Sequence, residues 1–404
     1  MRLKRSSMAR RVRELVLGSR GLQGPQSRVS RGHPWIWRDA IDRGLEDASA
    51  GDYVQVVAPD GEPIGCGIVD PTSPIAVRLW TRGRTAIGSA LLEARAERAF
   101  ALREVLAASD TNAYRVVHGE GDRMPGLVVD RYDSVAVMRT DGAAAGARSE
   151  DFAKALWPVL ARAGVLSLVH RIGAKGQEPR LDLLRGDPPP PEVHVREYGV
   201  PFVVDLAHGQ KTGAFLDQRD NRRRVGELAR GRRVLNLFSY AGGFSLRAAL
   251  GGASHVTNVD IAARAHATAQ ASFRLAGLDP AAHAAFVTAE VHAFLESARS
   301  RGETWDLIVS DPPSFAPSEK ALPRALAAYR ALHRACVEVL SPRGILCASS
   351  CSSHVDAASF MQTLDDAALG DRELTVVELS GAGTDHPCVP AFPEGRYLKF
   401  AVLM

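Results

Sequence analysis

Five short apolar runs follow one another after residue 198: RRVLNLF (232–238), HVTNV (255–259), HAAFV (283–287), WDLIVS (305–310) and GILCASS (344–350). A stretch with helical spacing fills each gap, at about 243–250, 262–276, 291–300 and 323–340. Strands alternating with helices at this interval predict a parallel, doubly wound sheet. Ligands of such sheets sit beyond the carboxyl ends of the strands. That rule singles out residues 239–243, Asp260, Glu290, residues 311–315 and residues 350–353.

Upstream the rhythm is different. Residues 30–80 read as short strands broken by Gly and Pro, with PDGEP a plain turn signal, and predict a small β-barrel. A helical pattern at 87–108, strand-like runs at 114–118, 126–130 and 134–139, a helix near 149–163 and a strand at 166–172 make an α+β middle region. The proline-rich RGDPPPPE (185–192) reads as a stiff linker. The expected fold class is therefore α/β. A Rossmann-like domain (191–404) is preceded by a barrel (26–84) and an α+β middle domain (85–190). Residues 1–25 are expected to be a basic, flexible extension.

Charge is unevenly placed. The net charge is only +4, but nine arginines and Lys4 precede Asp39 against one acid, Glu14. A second basic run, QRDNRRRV, occupies 218–225. Such patches attract phosphate backbones, though a frayed tail is the plainer reading of the first. Trp35 and Trp37 lie between Arg31 and Arg38, which suits an RNA-contacting surface, although core filling of the barrel is the plainer reading for at least one of the two. The five cysteines are scattered and odd in number, with no CxxC pair. They predict neither a disulfide framework nor a zinc site, and point to a reducing cytoplasmic compartment. No apolar stretch is long enough to span a membrane.

Three strand exits carry candidate chemistry. In VLNLFSYAGGFS, Gly242 and Gly243 let the backbone approach a ligand closely, but GxGxxG is not met. Asp260 ends the next strand, where a carboxylate can bind both hydroxyls of a ribose. A tight turn plus a ribose acid, without a phosphate cradle, suits S-adenosylmethionine better than a dinucleotide. In WDLIVSDPPSF, the prolines after Asp311 make a rigid exit with few backbone donors. Asp311, Pro312, Pro313 and Phe315 could hydrogen-bond and stack a flipped-out base. Cys351 falls at the mouth end of its strand. Carbon 5 of a pyrimidine is a poor nucleophile, and thiolate attack at carbon 6 activates it. A lone cysteine is otherwise core filler.

The sequence resembles the bacterial large-subunit (23S) rRNA cytosine-C5 methyltransferases of the RlmI type, from about Arg28 onward. The resemblance rests on RGHPWIWRDAI (31–41), GDRMPGLVVDRY (121–132), HGQKTGAFLDQRDNR (208–222), VLNLFSYAGGFS (234–245), SDPPSF (310–315), SSCSS (349–353) and DHPCVPAFPEGRYLKF (385–400). It implies an N-terminal RNA-binding PUA domain, a middle domain and a class I methyltransferase domain using S-adenosyl-L-methionine. By matching position, Phe238, Ser239, Tyr240, Ala241 and Gly242 hold the methionine part and Asp260 the ribose. Glu290 stands near the adenine, where the family often has Asp. Asp311 lies between cofactor and base, and Cys351 is the nucleophile. The stretch 211–221 borders the cofactor and RNA site, so Lys211 and Arg219, with Arg222 just beyond it, join Arg31 as RNA contacts. The family's partner is 23S rRNA or an assembling large subunit; a homodimer is compatible. No metal site is expected.

Two other readings stay open. One is a methyltransferase of the same fold acting on another base atom or RNA, for which no thiol is needed. The other is a non-catalytic RNA-binding assembly factor.

Overall fold

A computed structural model describes residues 13–18, 28–173, 179–370 and 372–404. Most of the basic extension expected over 1–25 lies outside these residues. Where it is described, the expectation of a flexible tail is corrected. Strand β1 (Arg13–Leu17) pairs in parallel with β4, and Leu15 and Leu17 are buried. The alternation in RELVL buries every second residue, a pattern that the surrounding arginines hid.

Strands β1, β2 (Trp35–Trp37), β3 (Ile41–Arg43), β4 (Tyr53–Val57), β5 (Pro63–Val69) and β6 (Ile75–Leu79) form one mixed sheet in the order β2-β6-β5-β4-β1-β3. It encloses its own core of Leu15, Leu17, Ile36, Val54, Val56 and Val77. The middle region adds β7 (Ala113–His118), β8 (Leu127–Tyr132), β9 (Val135–Thr140), β10 (Ser167–Ile172) and β11 (Arg180–Gly186). Helices Ser89–Ala101 and Ser149–Arg162 supply much of that core. The two regions share apolar packing: Trp80 stacks on Phe152 with ring centroids 5.3 Å apart.

A ribbon of β12 (Glu192–Glu197) and β13 (Val200–Asp205) follows the prolines. The last sheet contains β14 (Arg233–Leu237), β15 (His255–Asp260), β16 (Ala284–Thr288), β17 (Trp305–Ser310), β18 (Leu340–Ser350), β19 (Val376–Ser380) and β20 (Lys399–Leu403). Its order is β16-β15-β14-β17-β18-β20-β19. The first five of these pair in parallel, as the strand–helix alternation predicts; β20 is antiparallel to both β18 and β19. Chain order reverses at β14, between β15 and β17, and there the exits of β14 and β17 diverge to leave a crevice. Apolar clusters cover both faces of the sheet. Among the described residues no helix is long and apolar enough to cross a membrane.

Candidate functional site

A cavity of about 550 Å³ opens at the carboxyl ends of β14, β15, β17 and β18. Its volume suits a small-molecule ligand. Phe238, Ser239, Tyr240 and Ala241 line it from the β14 exit, and Asp260 and Glu290 line it from the exits of the next two strands. Asp311, Pro312 and Pro313 after β17, Cys351 after β18, and Lys211 from the loop after β13 complete the opposite wall. The structure thus brings these eleven residues singled out in the sequence together, with Gly243 and Arg222 also on the lining.

The β14 exit is a strained turn. Phe238, Tyr240 and Gly242 have φ of 55°, 45° and 70°. Gly242 does not line the cavity; a Cβ there would come within 2.8 Å of the Ala269 Cβ. Non-glycine residues in this region are uncommon and persist only when their surroundings fix them. Asp260 does much of the fixing. Its two carboxylate oxygens accept the backbone N–H groups of Tyr240 and Ala262, each at 2.8 Å. A carboxylate offers about four lone pairs, so Asp260 keeps acceptor capacity for two ligand hydroxyls. The Tyr240 hydroxyl ties the turn to the loop above it, accepting from the Gln210 N–H at 2.7 Å and donating to the Gly213 carbonyl. Glu290 caps helix Val291–Ser300 by accepting the Ala293 N–H at 2.9 Å. Burial raises its pKa, but the helix-start N–H groups prevail and hold it low.

The opposite wall holds the titratable groups. Gln218 donates to Asp311 Oδ1 and to Ser349 Oγ, both at 3.0 Å, while its own Oε1 accepts from Asn221 at 2.6 Å. This chain fixes the amide with its donors toward Asp311. Burial, reinforced by nearby Asp217, lifts the Asp311 carboxyl to about 6 despite those bonds. Asp217 is held below the ordinary range: burial opposes this, but Lys211, at 2.8 Å, His386 and the Tyr397 hydroxyl, at 2.7 Å, outweigh it. Cys351 is the only one of the five cysteines that lines the cavity. Burial, and then the Asp311 charge, push its thiol up to about 11. Its four serine neighbours include a buried scaffold: Ser352 Oγ bonds Tyr329 and Ser314, and Ser349 receives Gln218.

Several expected RNA contacts are corrected. Arg219 is fully buried and pairs with both oxygens of Asp385 at 2.8 and 2.9 Å. Arg222 borders the cavity, but its guanidinium is engaged by Glu197 and the Phe215 carbonyl. Arg223 and Arg224 pair with Glu227 and Glu378, so the basic run of 218–225 is neutralised by carboxylates from elsewhere. Phe315 does not line the cavity and packs on Tyr329 with centroids 4.8 Å apart. Arg31 is exposed on the first sheet's side of the molecule, away from the cavity lining. Conversely, Asp217, Gln218, Tyr397 and Lys399 were not singled out from the sequence. A lysine inside the apolar run YLKFAVL was the available signal for the last.

Known proteins share this architecture. A family model for S-adenosylmethionine-dependent methyltransferases matches residues 156–392, and a PUA-like domain model matches 23–82. The chain is 38% identical over 385 residues to the ribosomal RNA large subunit methyltransferase I of Photobacterium profundum, covering 94% of this chain and 96% of that one. It is 36% identical to the same-named protein of Aliivibrio fischeri, covering 93% and 96%. The crystal structure of the methyltransferase SMU.776, complexed with SAH, superposes with a TM-score of 0.85 at 25% identity, covering 97% of this chain and all of that one.

Proposed function

Since the chain belongs to the ribosomal RNA large subunit methyltransferase I family of S-adenosylmethionine-dependent enzymes, we propose that it forms 5-methylcytidine in large-subunit rRNA through a covalent bond to Cys351. The observation that carries this reading is the position of Cys351 as the one cavity-lining thiol, on the same wall as Asp311. Methylation of an exocyclic amino group gives such a thiol no task.

When bound, S-adenosylmethionine supplies an electrophilic methyl group. Its fit is supported by the cavity volume and by the spare lone pairs of Asp260, which takes the ribose hydroxyls. The turn of Phe238, Ser239, Tyr240, Ala241 and Gly242 holds the methionine end, with Glu290 on the adenine side. The Cys351 thiolate adds to carbon 6 of the cytosine, and the electron pair moves toward N3 and makes carbon 5 nucleophilic. Once carbon 5 carries the methyl group, it loses its proton to solvent and the S–C6 bond breaks, returning that bond's electron pair to sulfur. Asp311, lifted to about 6, is the carboxyl on this wall that can hold a proton for N3 while that charge develops. Pro312 and Pro313 keep its loop rigid. Lys211, beside the cavity mouth, and Arg31, on the PUA-like module, remain the RNA contacts. The working division is a PUA-like part over 26–84, a middle part over 85–190 and a methyltransferase part over 191–404, in a cytoplasmic protein.

Mass spectrometry of rRNA nucleosides from a deletion strain tests this. Loss of one 5-methylcytidine, restored by the wild-type protein and not by Cys351→Ala, is expected. Loss of a different methylated nucleoside would establish the alternative chemistry. A second expectation concerns the cofactor: Asp260→Ala weakens S-adenosylmethionine binding at least ~10-fold, because two charge-assisted hydrogen bonds to the ribose are lost. Unchanged affinity by calorimetry would refute the ribose assignment.

A further inference from the structure

Strand β20 places a charge where apolar packing is the rule. Lys399 lies opposite Ser350 in the β18–β20 ladder, one residue before Cys351. It is only 3% exposed. Its ammonium donates to the Ser352 carbonyl and to the Tyr397 carbonyl, each at 2.7 Å. The lysine therefore wraps the backbone just past the thiol. Among the described residues no carboxylate forms an ion pair with it. Lys399 also stands outside the cavity lining, so it does not touch a ligand there.

Burying an ammonium without a counter-ion is costly, and lysine is almost never fully buried unless paired. Two carbonyls satisfy two of its three donors and leave the net charge uncompensated. We infer that Lys399 is a positioning residue, the buried counter-cation of the Cys351 thiolate. While the thiol keeps its proton, the ammonium has no anionic partner among the described residues. When the S–H bond breaks, the proton leaves through the cavity to solvent, the electron pair stays on sulfur, and the charges of Lys399 and Cys351 then balance. The role in catalysis rests on Cys351 being the nucleophile; the ionisation of the thiol does not.

The groups facing this pair decide the pH dependence. Asp311 and Asp217 oppose ionisation of the thiol, Lys211 favours it, and the Tyr329 hydroxyl packs nearby as a neutral group. Lys399 is lowered to about 8 by burial, against the raising influence of Cys351 and of the exposed Asp356. Below about pH 8 the ammonium is present and favours the thiolate. Above it the ammonium deprotonates and that help is lost. The two groups titrate as a coupled pair. Thiolate content should therefore rise with pH, then break in slope near pH 8.

Iodoacetamide labelling of the full-length protein tests this, with Cys351 followed by peptide mass spectrometry from pH 6 to 10. The half-buried Cys388 serves as internal reference. Wild type should show the slope break near pH 8. Lys399→Met should label about tenfold more slowly at pH 7 and rise without a break, one pK unit corresponding to a factor of ten. Lys399→Arg, whose charge persists, should keep the wild-type rate at pH 7 and also lose the break. Superimposable profiles for all three proteins would overturn the inference. If Lys399→Met does not fold, the arginine variant decides alone, by losing the break or by retaining it. A methyl-transferring Cys351→Ala protein would refute the nucleophile and leave this titration standing.

Discussion

The Cys351→Ala variant is expected to bind S-adenosylmethionine normally and to transfer no methyl group. The substitution deletes a bond made only along the reaction path, so kcat should fall on the order of 10⁴-fold or more while ligand affinities stay within about twofold. The thiol makes one weak hydrogen bond, to the Pro312 carbonyl at 3.9 Å, and its removal should leave the melting temperature close to wild type. RNA carrying 5-fluorocytidine at the target gives a sharper readout. Fluorine does not depart as a proton does, so the protein–RNA bond should persist through denaturing electrophoresis with wild type and be absent from the variant. An adduct mapped to Cys388, or one that survives in Cys351→Ala, would end the assignment. Cys336 and Cys347 are poor rivals, since complete burial pushes both thiols to about 12.

The largest effect on stability is expected at Asp385. This carboxylate accepts both terminal nitrogens of Arg219, the Arg115 backbone N–H at 2.9 Å and the His386 ring at 2.9 Å. Its carbonyl accepts Arg103, which is itself bidentate to Asp122. Asp385→Ala removes both oxygens that hold the buried Arg219 guanidinium and leaves it, as an ion pair, only the longer Asp220 contact at 3.5 Å. Breaking a buried pair of this kind costs about 3–5 kcal/mol. The pH dependence has a definite sign. Burial would raise the Asp385 carboxyl, but His386 and Arg219 outweigh it and hold it well below its unfolded value of about 3.9. Its contribution is therefore complete above the ordinary carboxylate range, starts to fall as pH drops through that range and is gone only below the much lower folded value. Asp217 acts in the same direction. Urea unfolding from pH 7 to pH 3 should show wild type losing stability steeply and Asp385→Ala losing less. A difference below about 1 kcal/mol at pH 7 would show that the pair contributes little.

Periodicity made the parallel half of the last sheet legible. WDLIVS is β17 to the residue, and strand exits located Asp260, Asp311 and Cys351, because a strand's end is a local property of the chain. The antiparallel pair β19 and β20 was not recognised, since its partner strands come from distant sequence and carry Glu378 and Lys399 among apolar residues. Composition misled at Arg219 and Arg222. A run of arginines reads as a phosphate-binding surface until its acids are located, and Asp385 lies 166 residues away. Gln218 and Tyr397 were invisible for the same reason: each matters through what it touches.

The segment 385–397 meets all three parts of the molecule. Asp385 and His386 join the middle region, Phe392 packs on Trp35 at 4.8 Å, Glu394 binds Arg28 and His33, and Tyr397 reaches Asp217. Every one of those partners is synthesised before it. Domains emerging from the ribosome fold in order, amino-terminal first. Until translation delivers this stretch Arg219 lacks its bidentate acceptor, whereas Arg103 already has Asp122. A product stopped before residue 385 therefore lacks the stretch that ties all three parts together, and its Arg219 is left without its bidentate carboxylate.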